Sequence, residues 1–153
     1  MEQISIQIEG IPAVLWGAPS SRAILAVHGS QSSKTDTPIL LLAQTAAARG
    51  WQVLSFDLPE HGDRRGEPTL CKVQNCVAEL ALILRYARQR WSTLGLFANS
   101  LGAYFSLMAY RDEPFQQALF LSPVVDMARL LEQMMNWFQV SEETLEREGT
   151  VPT

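Results

Sequence analysis

Cysteine and histidine are scarce in this 153-residue chain, with two of each. Cys71 and Cys76 are too few for a disulfide scaffold, and with only two histidines they make no convincing zinc site. Basic runs are missing too. Twelve Lys and Arg stand against sixteen Asp and Glu, a net charge of -4, which argues against a nucleic-acid partner. No long hydrophobic run occurs: the stretch from Pro38 to Ala48 is interrupted by Gln44 and Thr45 and is too short to span a bilayer. The opening MEQISIQIEG has neither a basic nor an apolar leader region, so no signal peptide is expected. The expected location is a reducing cytoplasm, with both thiols free and no membrane partner. Gly29 and Gly62 sit in no G-x-G-x-x-G or P-loop pattern, so no nucleotide and no other cofactor is expected. Internal repeats and low-complexity segments are also lacking.

What is present is a globular composition. Hydrophobic residues make up 47% and charged residues 18%, which excludes intrinsic disorder. The length suits one domain, which can bury about two thirds of its unfolded surface.

Patterning then predicts the elements. Ile4, Ile6 and Ile8 alternate with polar residues, Gly10 turns the chain, and Ala13 to Trp16 follows, so residues 3–17 read as a hairpin. Ala23 to Val27, Trp51 to Phe56, Leu94 to Phe97 and Ala118 to Leu121 are apolar runs that suit strands covered on both faces. Between them lie predicted helices at Pro38 to Arg49, Val73 to Arg90 and Leu101 to Tyr110. The first has Pro in its opening turn and Gly50 just past its end. A loop covers 58–70, a further helix is predicted at Val125 to Phe138, and 141–153 is polar. Alternating strands and helices imply an α/β three-layer sandwich with a mostly parallel sheet and an N-terminal β-hairpin.

Ligands in such sheets bind beyond the carboxyl ends of the strands. Three ends carry unusual residues: His28-Gly29-Ser30, Asp57 to Gly62, and Ala98-Asn99-Ser100-Leu101-Gly102. The third is the most informative. A strand that enters a helix through one tight turn displays the turn residue above the sheet, and small residues two before and two after it leave room for the bend. Ser100 is the displayed residue and Ala98 and Gly102 are the small ones. Its hydroxyl is a candidate nucleophile beside amides that can hold an oxyanion. The competing role for Ser100 is an ordinary helix N-cap.

The segments AVHGS at 26–30, SFDLPEHGDRRG at 55–66 and LFANSLGAY at 96–104 resemble, in order, motifs of the α/β-hydrolase superfamily, most closely its small esterase and peptidase-like members. The resemblance covers residues 3 to about 125 and departs at Ala98, where the family usually has Gly. It implies a serine hydrolase that acts on a carboxylic ester or related small acyl substrate through Ser100. It further implies that the backbone N–H groups of Ser30 and Leu101 form the oxyanion hole, and that the segment after Phe56 is mostly structural.

In that family the acid and the His lie well downstream of the nucleophile. Only 53 residues follow Ser100 here, and no His occurs after Gly62. The resemblance thus implies an α/β-hydrolase fold lacking its last strands, in one domain over 1–153 whose 126–153 segment begins a cap or crossover. His28 and His61 are the in-chain candidates for a base, and Asp126 for the acid, although an N-cap role suits Asp126 better. Arg64 and Arg65 could hold an anionic substrate or be solvated. Met127, Met134, Met135, Trp137 and Phe138 suit either a lid over an acyl pocket or a core face. Without later strands, 118–121 becomes a sheet edge that favours self-association. The alternative to a hydrolase is a non-catalytic module of the same fold that binds a small molecule or a partner. A third reading is a complete small enzyme using His28 or His61.

Overall fold

In the computed structural model, which describes residues 1–121, the chain doubles back on Glu9 and Gly10, both at positive φ (47° and 83°). This turn joins β1 (Gln3–Ile8) to β2 (Ile11–Trp16) as an antiparallel hairpin in the register Ile8 to Ile11. The remaining elements alternate: β3 (Arg22–Val27), α1 (Thr37–Ala48), β4 (Gln52–Phe56), α2 (Val73–Arg90), β5 (Thr93–Asn99), α3 (Leu101–Tyr110) and β6 (Ala118–Leu121). The predicted helix at 125–138, Asp126, the Met-rich stripe and the polar 141–153 segment lie outside the described residues.

The six strands form one sheet in the order β1-β2-β4-β3-β5-β6. β1 with β2 and β2 with β4 are antiparallel, while β3 with β4, β3 with β5 and β5 with β6 are parallel. The chain leaves β3 to one side to form β4, then crosses back over β3 to form β5. This reversal opens a crevice beyond the carboxyl ends of β3 and β5, where α/β sheets place ligands.

Side chains of successive strand residues point to opposite faces, and each face has its own helices. On one face Val14, Trp16, Ala26, Val53 and Phe97 pack with Ile39, Ala43 and Ala46 of α1. On the other, Leu25, Val27, Leu54 and Phe56 pack with Leu80 and Ile83 of α2 and Ala103 and Phe105 of α3. Each fully buried Leu, Ile or Phe of these clusters contributes roughly 1.5–3 kcal/mol. Helix α1 is capped by Asp36, whose Oδ1 accepts from the Ile39 amide at 2.9 Å.

Two expectations need correction. Ala118 to Leu121 forms a strand, but not a buried one: among the described residues Leu119 is 61% and Leu121 45% exposed. Its apolar composition reads the same whether or not anything covers it. Within the 58–70 loop, Gly62–Arg64 forms a 3₁₀ turn, and Arg64 is not solvated. Its buried guanidinium grips Glu79 through Nη1 (2.5 Å) and Nη2 (2.9 Å) and donates to the Asp57 carbonyl, while Arg65 stays exposed.

Candidate active site

The turn from β5 into α3 places Ser100 at φ 53° and ψ -120°, a conformation that L-residues with a side chain rarely adopt. The turn is held from both sides. The Ser100 amide donates to the Leu121 carbonyl at 2.9 Å, and the Ser100 carbonyl accepts from the Ala103 amide at 3.0 Å. The Ser100 side chain makes no capping hydrogen bond to the helix it precedes. A serine placed only to cap would spend its hydroxyl on that bond.

Small residues surround this turn for steric reasons. A Cβ on Gly102 would lie 2.2 Å from the His28 carbonyl oxygen and 2.9 Å from Val27 Cγ1. A Cβ on Gly29 would lie 3.0 Å from Ser100 Cβ and 3.1 Å from the Asn99 carbonyl oxygen. Ala98 is fully buried, opposite Val27 on one side and Phe120 on the other. The chain beyond β3 therefore runs in van der Waals contact with the Ser100 turn. Leu101 begins α3, so its N–H is one of those a helix leaves without an internal acceptor. Ser30 is exposed and directly follows Gly29 in the strand-to-loop turn.

The loop from Ser30 to Asp36 is anchored at Lys34, a residue that sequence patterning did not single out. The Lys34 amide donates to Asp57 Oδ1 at 2.9 Å, and its carbonyl accepts from Ser55 Oγ at 2.7 Å. Its ammonium donates to Asp57 Oδ2 and to Asp63 Oδ2, each at 2.7 Å. Burial disfavours that ammonium, but the two carboxylates outweigh burial and raise its pKa above the ordinary value. Asp57 is wholly buried and also accepts from the Asp63 amide at 3.0 Å. A Cβ on Gly62 would fall 2.2 Å from Asp57 Oδ1, so the loop after β4 wraps closely around this carboxylate. A lone Lys in QSSKTD carries no spacing signal, because its two acidic partners lie 23 and 29 positions away.

The two imidazoles are placed differently. His28 is fully buried, with Nδ1 donating to the Gly29 carbonyl at 2.7 Å and Nε2 accepting from the Leu58 amide at 3.0 Å. Burial pushes its pKa down to about 4, so the ring is neutral. With both nitrogens engaged, it links the loop after β3 to the loop after β4. His61 is half-buried, its ring 5.1 Å from that of His28, and its Nδ1 donates to the Pro59 carbonyl at 2.8 Å. Hydrogen bonding with Cys71 raises its pKa against the effect of burial. Neither His28 nor His61 has Ser100 among its hydrogen-bond partners within the described residues. Asp126 lies outside them. A cleft of about 710 Å³ between α1 and the β5–β6 edge, lined by Leu42, Trp51, Phe97 and Leu119 among others, includes none of Ser30, Ser100 and Leu101. No helix of the described residues is long and apolar enough to cross a membrane.

No protein-family model and no curated protein matches the sequence. Solved structures do match. A cold-adapted esterase from an Arctic intertidal metagenomic library superposes at a TM-score of 0.64 with 21% identity, over 91% of this chain and 67% of its own. An esterase of Pyrococcus furiosus gives a TM-score of 0.70 with 18% identity, over 94% of this chain and 57% of its own. An alpha/beta hydrolase from Penicillium gives 0.67 with 14% identity, over 99% of this chain and 56% of its own. The chain thus spans little more than half the length of the last two. The fold is that of the α/β-hydrolases, with the N-terminal hairpin present and the later strands lacking from the described sheet.

Proposed function

We propose that this chain carries the nucleophile and oxyanion half of a serine hydrolase that acts on a carboxylic ester or related acyl substrate. The observation that carries the reading is the backbone of Ser100, held at φ 53° with its hydroxyl free of the helix cap. Strain of this kind costs of order 1–3 kcal/mol and persists where the surroundings over-determine it, often at functional sites. The esterases among the structural neighbours support the same reaction class.

In this reading Ser100 Oγ attacks the acyl carbon and gives its proton to a base. The N–H groups of Ser30 and Leu101 hold the oxyanion of the tetrahedral intermediate; loss of one such donor typically lowers kcat about 100- to 1000-fold. The alcohol leaves, and water then releases the acid from the acyl-enzyme. This reading takes the base from elsewhere: of the two histidines in the sequence, His28 spends both ring nitrogens on hydrogen bonds and His61 spends Nδ1, and neither bonds Ser100 within the described residues. That engagement also favours the second reading, a non-catalytic module of this fold.

Labelling with a fluorophosphonate, read by intact mass, separates the two. The hydrolase reading expects an adduct on the wild type that forms faster as free imidazole is added, and none on Ser100→Ala. Absence of an adduct with and without imidazole would leave the binding module.

A further inference from the structure

Cys71 and Cys76 take no part in the chemistry proposed for Ser100, yet their sulfur atoms lie 3.7 Å apart and unbonded. Cys71 stands two residues before α2 and is half-buried; Cys76 lies within the first turns of α2 and is fully buried. The approach is built into the backbone. The Cys71 amide donates to Glu60 Oε2 at 2.7 Å, Asn75 Nδ2 donates to the Leu70 carbonyl at 2.8 Å, and the Cys76 amide donates to the Lys72 carbonyl at 2.9 Å. These bonds fold 70–76 into a turn with both thiols on one side.

The surroundings make the two sulfurs unequal. The Cys71 thiol is held below its ordinary pKa, first by hydrogen bonding from Cys76 and then by His61. Cys76 is pushed up by its partner and by burial. Glu60 works against ionisation of Cys71 and Glu79 against that of Cys76, while Arg64 favours the latter. Ionisation is therefore favoured at the more accessible sulfur, which lies just ahead of a helix N-terminus, where thiolates are stabilised. Pro59 offers His61 Nδ1 only an acceptor, so that nitrogen keeps its proton.

We propose that Cys71 and Cys76 form a reversible redox site, in which a hydroperoxide oxidises Cys71 and Cys76 resolves it as an intrachain disulfide. The Cys71 thiolate attacks the terminal oxygen of ROOH. The O–O bond breaks, the sulfur loses two electrons to oxygen, and the alkoxide takes up a proton and leaves as ROH. The Cys76 sulfur then attacks the Cys71 sulfenic acid; the S–O bond breaks, and hydroxide leaves with the Cys76 proton as water. The sulfur separation closes to about 2.0 Å. A dithiol reductant returns both thiols by exchange. The bridge also removes the anionic partner of His61, which lowers the pKa of that imidazole.

The full chain is treated with a stoichiometric amount of hydrogen peroxide and measured by intact mass and tryptic mapping. Trypsin cuts after Lys72, between the two cysteines, so a bridge joins peptides 66–72 and 73–85. The expected result is a loss of about 2 Da, reversed by dithiothreitol, with those two peptides linked within one chain. Cys76→Ser is expected to accumulate a sulfenic acid on Cys71 that dimedone captures, and Cys71→Ser to give no dimedone adduct. Two alkylatable thiols after peroxide treatment, a bridge only between chains, or equal capture at Cys76 would overturn the proposal. None of these readouts depends on Ser100.

Discussion

The Cα of Gly102 faces the carbonyl oxygen of His28 so closely that a Cβ there would stand 2.2 Å from it. Helix α3 thus rests directly on the end of β3. The contact joins Gly102, two positions after Ser100, to His28, which immediately precedes Gly29.

Gly102→Ala tests this contact. Gly102 lies inside α3 and its φ is not positive, so Ala fits the backbone and gains about 1 kcal/mol of helix propensity. The clash is with backbone, which cannot rotate away, and overpacking of this kind costs about 1–3 kcal/mol or more. Urea denaturation is expected to show a net loss of stability, together with slower fluorophosphonate labelling of Ser100.

Ser100→Gly is expected to act in the opposite direction on stability. Glycine accepts φ 53° without a Cβ penalty, and no capping bond is lost. Thermal unfolding is expected to rise by the equivalent of about 1 kcal/mol, while labelling disappears. A lower melting temperature would show that the turn is not strained.

Asp57→Asn leaves the buried Lys34 ammonium with only the exposed carboxylate of Asp63. Breaking one partner out of a buried pair costs about 3–5 kcal/mol. The loop carrying Ser30 hangs on this anchor, and misplacement by an ångström lowers rate about 100-fold. The expected outcome is a large drop in urea midpoint and, in whatever folded protein remains, labelling that imidazole no longer accelerates.

Stability is expected to fall with acid through a specific window. The His28 pKa is lowered by burial from 6.5 to about 4, so the unfolded chain binds a proton there that the folded chain refuses. Between these values stability declines as pH falls, by of order 3 kcal/mol in all for this group. His61 has the opposite sign: its pKa is raised, so its contribution is full at low pH and lost as pH rises through the folded value. Urea midpoints at several pH values, compared with those of His28→Gln, measure the first term as the part of the slope that the variant loses.

One of the two edges of the described sheet is β6, where Leu119 and Leu121 are exposed. We propose that this edge supports self-association. Light scattering at micromolar concentration is expected to give a mass above 17.1 kDa, and charged substitutions at both leucines are expected to reduce it.

Much of the architecture follows from local pattern. Along β1 the alternation is matched by burial only toward its end, where Ile8 is buried and Ile6 half-buried while Ile4 stays exposed, and Ala23 to Val27 is apolar throughout because β3 is covered on both faces. Gly50, at φ 80°, marks the end of α1 as its position suggests. Arg64 was not legible in this way. A charged loop residue reads as solvated, and its partner Glu79 comes into reach only when α2 packs beside the loop.

The sequence by itself determined the order of strands and helices, and the placing of Ser100 where a strand turns into a helix, because periodicity and small-residue spacing are local properties. Tertiary structure decided what each polar group does. Lys34 and Asp57 meet across 23 positions, His28 spends both nitrogens on backbone, and Cys71 and Cys76 acquire unequal acidities. A charge or an imidazole takes its character from its partners and its burial, and both exist only once distant segments have packed together.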